Sequence, residues 1–264
     1  MVYIMKNHPK YINQKEQLSR TAREIVNSHP FGYWGGVIRG PRERGKSAFC
    51  MHIAREVYQF VEGLTCDDAW ERVLENIMFT LDEIDKMFNI LNSIDWDNVL
   101  DWQRDNTFLC KIWDDAGMHG GKFKYFTDVK IVEHLQGNMD VIRFILSGFL
   151  INTPQLEHLL GFLRGYRDHK IINITYPPEG KQLYNRVATT KIWKEDRLGR
   201  WHLFPSYVTR FSCYVDDWVY EEYSRMKAKA IVDNKHKFEE MVKMSKRMPT
   251  VSFDWEGLGI DVVE

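Results

Sequence analysis

Gly40, Gly45, Lys46 and Ser47 stand in the order GxxxxGK[ST] within the stretch GPRERGKSA. That spacing suits the cradling of phosphate groups. Glycines let backbone amides approach and turn inward, a lysine ammonium reaches the β- and γ-phosphates, and a serine hydroxyl is placed to ligate Mg²⁺. Gly40, Pro41, Arg42, Glu43, Arg44, Gly45, Lys46, Ser47 and Ala48 are therefore the expected phosphate-binding loop, with ATP and Mg²⁺ as the expected ligands. Arg42 and Arg44 fill the variable positions, where a solvated charge and an additional phosphate or partner contact are both open readings.

Such a loop needs an acidic partner at the end of a neighbouring strand to hold the hydrated cation. The run FLCKIWDD supplies one, an apolar strand interrupted by Lys111 and closed by Asp114 and Asp115. Asp114 is assigned to the Mg²⁺ and Asp115 to the attacking water; the alternative is a pair of helix-capping aspartates. Asn152 and Thr153 close a later strand, FLINTP. In ATPases that insert a strand between the loop strand and the acidic strand, a polar side chain at this place meets the γ-phosphate or the water, and either residue fits. Thr153 has a second reading as the cap of a helix starting at Pro154. Lys46, Asp115, Asn152 and Thr153 are the catalytic candidates, and Ser47 and Asp114 the metal ligands.

Elements must position these residues, and the hydrophobic pattern predicts them. YWGGVIRG reads as a strand ahead of the loop, and KSAFCMHIAREVYQFVEG as a helix behind it, stopped at Gly63. Residues 11–28 predict an amphipathic helix through Leu18, Ala22, Ile25 and Val26. The stretch 67–94 reads as helix, short strand at 77–80, and a second helix opened by LDEIDK. A strand ending in the two aspartates follows, then a helix over DVKIVEHLQGNMDVIRFILSG, the strand FLINTP, a helix over PQLEHLLGFLRG and the strand HKIINITYP. Alternating strands and helices predict an α/β fold, a mainly parallel sheet with helices on both faces, which together with the glycine–lysine loop is expected to be a P-loop NTPase core. Beyond residue 178 polar and apolar residues alternate about a DRLG turn, predicting a β-hairpin or small meander, and a long charged helix runs from Trp218 to Arg247. The expected division is an N-terminal helix at 1–30, the core at 31–178, the hairpin at 179–215, and the C-terminal helix with an acidic tail at 216–264.

The chain of 264 residues is 44% hydrophobic and carries a formal net charge of −1. It is long enough to bury a full core, but it has no global attraction for nucleic acid. Contact with DNA must come from local clusters. Lys122 and Lys124 alternate with Phe123 and Tyr125 after three glycines, which suits a nucleic acid strand or, equally, a ribbon packed on the core. Lys191, Lys194, Arg197 and Arg200 gather at the hairpin turn beside Trp193 and Trp201, diluted by Glu195 and Asp196; DNA contact and a solvated tip are the two readings. Cys50, Cys66, Cys110 and Cys213 lack metal-ligand spacing and are expected to be reduced, mostly buried thiols. With no apolar leader and no run near 20 apolar residues, no membrane contact and a cytoplasmic location, in a cell interior, are expected.

The phosphate loop, IWDDAG, LSGFLINTP and YVDDWVYEEY together resemble the DnaA-like AAA+ ATPases of archaeal spindle-shaped fuselloviruses and related plasmids, and the likeness spans most of the chain. The resemblance implies an ASCE-type ATPase core and a role in viral or plasmid DNA replication. ASCE ATPases commonly act as homo-oligomers completed by an arginine from a neighbouring subunit, for which Arg143, Arg164 and Arg167 are candidates, each with the competing reading of an ordinary salt-bridging residue of a core helix. Where such proteins carry a helical lid and a helix-turn-helix domain, this chain has the hairpin and the long helix. Two further readings stay open: a genome packaging or translocation motor of the FtsK/HerA kind, and a nucleotide-dependent assembly protein with little turnover.

Overall fold

The computed structural model describes residues 18–116, 129–159, 163 and 166–247. The chain divides after Ser224 into two units; the first holds the whole sheet, and the described part of the second is the continuation of the last helix.

Helix α1 (Arg20–Ser28) starts at Ser19, whose side chain accepts from Ala22 N, and buries Ala22, Ile25 and Val26. The first part of the helix expected from residue 11 lies outside the described residues. Strand β1 (Trp34–Arg39) is buried up to its last residue and leads through the glycine–lysine loop into α2 (Lys46–Glu62). Gly63 ends α2 in the left-handed conformation, as the sequence predicts. Helix α3 (Cys66–Glu75) and the two-residue strand β2 (Ile77–Met78) follow. Thr80 does not extend that strand but caps α4 (Leu81–Phe88): it accepts from Glu83 N while the Glu83 carboxylate returns to Thr80 N. Next come α5 (Val99–Asn106), β3 (Lys111–Trp113), α6 (Val129–Val141) and β4 (Gly148–Thr153). Strand β5 (His169–Thr175) precedes the hairpin of β6 (Asn185–Glu195) and β7 (Trp201–Ser212), and α7 (Asp217–Arg247) closes the order.

The helix expected over 154–165 is represented among the described residues by a 3₁₀ turn at Leu156–His158 and by the helical Leu163. Thr153 does not cap it. Its hydroxyl donates to Gln155 O at 2.9 Å, whereas an N-cap accepts from a backbone amide.

The seven strands form one sheet in the order β2-β3-β4-β1-β5-β6-β7. The first five run parallel, and β6 and β7 are antiparallel additions at one side. The hairpin is thus part of the same sheet as the α/β core, pairing Ile172 with Thr190. Parallel strands covered on both faces read as continuous apolar runs, and β4 is buried along its whole length. Phe149, Leu150 and Ile151 pack there with Ile112 and Trp113 of β3 and Val37 and Ile38 of β1 in the interior. In this mixed α/β fold β4 lies between β1 and β3, so the carboxyl ends of all three open at the same end of the sheet, the usual place for a ligand in an open α/β sheet.

All four cysteines are free; Cys50 and Cys110 are buried, Cys213 is half-buried, and Cys66 is exposed at the head of α3, so the expectation of burial holds only in part. Among the described residues no helix is long and apolar enough to cross a membrane.

Candidate phosphate and metal site

Beyond β1 the chain turns at Gly40 with φ 152°, where an added Cβ would stand 2.8 Å from Ile174 O. Gly45 has φ 80°, and its added Cβ would meet Cys213 Cβ at 2.6 Å. Both positions admit glycine alone, for conformation and for space. Between them Glu43 is also left-handed, with φ 60°. The loop hands directly to α2, whose N-terminus has no side-chain cap, whereas Ser19, Thr65 and Thr80 cap α1, α3 and α4. First-turn amides without such a cap suit an anion. Lys46 is buried and its Nζ donates to Pro41 O at 2.9 Å, so the ammonium curls over the loop. Ala48 is buried and Arg42 exposed, while the Arg44 guanidinium stacks on the Tyr176 ring at 4.0 Å. Arg186, from the first strand of the hairpin, covers the same ring at 4.6 Å.

Beside the loop stands a buried polar cluster assembled from four separate elements. The chain leaving β3 presents Asp114, fully buried, with its amide on Met78 O at 2.9 Å. Ser47 Oγ, from the first turn of α2, donates to Asp114 Oδ1 at 2.8 Å. Asn152, from β4, donates through Nδ2 to Ser47 Oγ at 2.9 Å and also to Asp114 Oδ1. Tyr223, from α7, donates to Asp114 Oδ2 at 2.7 Å and lies 3.0 Å from Ser47 Oγ. Burial pushes the Cys50 thiol well above its ordinary pKa, and the nearby Asp114 charge pushes the same way. Asp115 follows with φ 49°, half-buried; a left-handed aspartate is uncommon and is the kind of backbone that clusters at functional sites.

The donors fit a hard cation. Ser47 Oγ and the Asp114 carboxylate are oxygens, and Asn152 Oδ1 is buried with no hydrogen-bond partner, an open acceptor in the same cluster. An oxygen set of this kind suits Mg²⁺. Among the described residues there is no group of three His, Cys, Asp or Glu side chains suited to a metal.

Of the two residues ending β4, Asn152 joins Ser47 and Asp114, and Thr153, buried beside Arg39, turns its hydroxyl to Gln155 instead. Successive residues of a strand face opposite sides, which is why only one can join the cluster. A pocket of about 390 Å³ opens next to the loop among Arg39, Gly40, Pro41, Pro154, Gln155 and Leu156.

Lys122, Lys124 and Arg164 lie outside the described residues. The hairpin cations are not one patch. Lys191 and Lys194, an odd number of residues apart on β6, point to opposite faces. The Arg200 Nε donates to Asp196 Oδ2 at 3.0 Å, and Asp196 also accepts from the Arg200 and Leu198 amides, which hold its carboxyl down to about 2. Lys194 and Arg197 are exposed. Because β6 runs against β5 with Lys191 opposite Ile171, the hairpin tip lies at the amino ends of the parallel strands, away from the loop. Arg167 is at that end too, 4.4 Å over the Trp201 ring, as is Arg143, which lines a pocket with Tyr33 and Asp168.

Sequence reasoning gave no site role to three neighbours of the site, Arg186, Cys213 and Tyr223; Tyr223 entered only as the end of the YVDDWVYEEY segment and Cys213 only as a thiol. Tyr223 is 109 residues from Asp114 and reads as one aromatic of a long charged helix.

Fold and site together describe a mixed α/β protein with a glycine–lysine loop at the carboxyl end of a central parallel strand. The chain is similar to the uncharacterized protein B-251 of Sulfolobus spindle-shape virus 1, 28% identical over 209 residues that make up 76% of either chain. That likeness supports a relationship to a fusellovirus protein. No family model matches the chain.

Proposed function

We propose that the chain is an Mg²⁺-dependent P-loop ATPase of the ASCE, AAA+-like kind that acts on DNA in viral or plasmid replication. One observation carries the reading: Ser47, Asp114 and Asn152 meet from three elements at the mouth of the glycine–lysine loop, with β4 inserted between β1 and β3.

In this reading the loop amides and Lys46 bind the β- and γ-phosphates and offset their charge. Ser47 and Asp114 would hold Mg²⁺, which when bound neutralises charge on the β- and γ-oxygens. Asp115 orients the attacking water and accepts its proton as the new bond to the γ-phosphorus forms and the bond to the β-bridging oxygen breaks, releasing ADP. Asn152, fixed on a strand with neighbours on both sides, is placed to position the γ-phosphate or that water through its amide. Arg143 and Arg167 stand at the opposite end of the sheet from the loop, so in a homo-oligomer either would serve a neighbouring subunit's site rather than its own. The likeness to a spindle-shape virus protein supports the viral setting.

Nucleotide binding tests the reading. Lys46→Ala is expected to lose about a hundredfold or more in ATP affinity, the size of a charge-assisted contact. Asp115→Asn should keep ATP affinity and lose turnover by about 10²–10⁴-fold. Equal ATP binding by the wild type and Lys46→Ala would overturn the proposal, and turnover unchanged in Asp115→Asn would remove that residue from the water. DNA-stimulated, directional turnover would favour the translocation motor, and tight binding with negligible turnover the assembly protein.

A further inference from the structure

A serine hydroxyl has one proton and two lone pairs. Ser47 Oγ has all three directions taken, by Asp114 Oδ1 at 2.8 Å, Asn152 Nδ2 at 2.9 Å and the Tyr223 hydroxyl at 3.0 Å. The Tyr223 hydroxyl also reaches Asp114 Oδ2 at 2.7 Å. Three contacts, Ser47–Asp114, Ser47–Tyr223 and Tyr223–Asp114, therefore share two hydroxyl protons. An oxygen triangle one proton short, against a buried carboxylate, attracts a cation. Yet a cation can enter only by taking a lone pair of Ser47 Oγ that a side chain now uses.

One partner has to leave, and the fold says which. Asn152 is on β4, paired with β1 on one side and β3 on the other. Asp114 is itself one of the groups that would hold the cation. Tyr223 alone comes from outside the sheet, from the second turn of α7, with its ring beside Phe79 and Tyr220, centroids 6.0 and 6.4 Å away. We propose that Tyr223 closes the Ser47–Asp114 cation site and is expelled when Mg²⁺ binds with nucleotide, so that the phenol and the cation compete for the same oxygens. Tyr223 makes the start of α7 a reporter of cation occupancy. The hydrogen bonds that anchor this segment elsewhere, such as Trp70 Nε1 to Asp216 Oδ2 at 2.8 Å, do not involve the site and stay in place.

The inference rests on the ATPase reading, and the experiment separates the two. Fluorescent mant-ATP is titrated into the wild type and Tyr223→Phe, in EDTA and in Mg²⁺, and hydrogen exchange of residues 217–224 is followed in the wild type. Tyr223→Phe keeps the ring and removes only the hydroxyl. In EDTA the two proteins should bind alike. In Mg²⁺ the variant should bind about tenfold more tightly, because the cation no longer displaces a charge-assisted hydrogen bond. Mg²⁺ with mant-ATP should speed exchange of 217–224 in the wild type, and mant-ATP in EDTA should not. Equal or weaker Mg²⁺-dependent binding by Tyr223→Phe, or slower exchange of 217–224 with Mg²⁺, overturns the competition while leaving the ATPase reading intact. Absence of binding by the wild type in both EDTA and Mg²⁺ overturns both.

Discussion

The two ends of the same five parallel strands treat buried polar side chains differently. At the amino end His29, Tyr33 and His169 close on neighbours, although Trp193 Nε1 stays buried without a partner: His29 Nδ1 lies 2.9 Å from Ser147 Oγ, Tyr33 OH lies 2.7 Å from His169 Nε2, and His169 Nδ1 lies 3.3 Å from Leu163 O. These contacts define a neutral imidazole that donates to the Leu163 carbonyl and accepts from the tyrosine. At the carboxyl end Asn152 Oδ1 is buried without a partner, and the two left-handed residues other than glycine among those described, Glu43 and Asp115, both sit there. Closed pairs stabilise a fold, whereas an open acceptor beside strained backbone stands ready for something the chain does not contain. The comparison sets the two ends apart inside one sheet, where strand direction and packing are shared.

The sharpest way to break it is pH. Burial holds the fully enclosed His169 imidazole down to about 4. In the unfolded chain a histidine titrates near 6.5, so between about pH 6.5 and 4 the unfolded state binds a proton that the native state does not. Stability contributed at this site is therefore complete above pH 6.5 and falls as the pH drops, by about 3 kcal/mol at the lower end of the window. Urea unfolding at pH 7, 5.5 and 4.5 measures the slope, and His169→Gln should flatten it. That variant should bind ATP within about twofold of the wild type, since His169 begins β5, at the end of the sheet away from the loop; a tenfold loss of affinity would erase the distinction between the two ends.

What the sequence made legible follows from the range of the interactions involved. The strand–loop–helix around Lys46 is local: the glycines, the lysine and the apolar flanks are all written within about thirty residues, and β1, the loop and α2 appear where expected. Asp114 was legible because a strand closing on two acids has a distinctive local pattern, and Asn152 because β4 is a continuous apolar run ending in polar residues. The choice of Asn152 over Thr153 was not legible, since it depends on which face of β4 meets α2. The contacts of Arg186, and those of Tyr223 at the end of the YVDDWVYEEY segment, were not legible because they arise only when the hairpin and α7 return the chain to the loop. The hairpin cations misled for a simpler reason. Nearness in sequence suggested one cluster, but period-2 alternation divides Lys191 from Lys194, and the Asp196 turn engages Arg200.

The smallest expected effect concerns that tip, at the amino end with the closed pairs yet composed of exposed charge. Surface cations contribute little to stability, so their value to the protein has to be sought in a partner, and phosphate contacts are read by salt. Lys194 and Arg197 are exposed, and each should contribute about one unit to the slope of log DNA affinity against log salt if it meets a phosphate. Arg200 should contribute less, because binding a phosphate costs it the 3.0 Å bond to Asp196, and Lys191, on the other face and half-buried, should contribute nothing when the tip binds through the Lys194 face. Fluorescence anisotropy with single- and double-stranded DNA over a range of salt, for each cation changed singly to Gln, orders the four. A ranking of Lys194 and Arg197 above Arg200, and Arg200 above Lys191, supports a DNA surface at the amino end, with ATP affinity untouched. Equal slopes in all four variants and the wild type would leave the tip a solvated turn and direct the search for the DNA contact to Lys122 and Lys124.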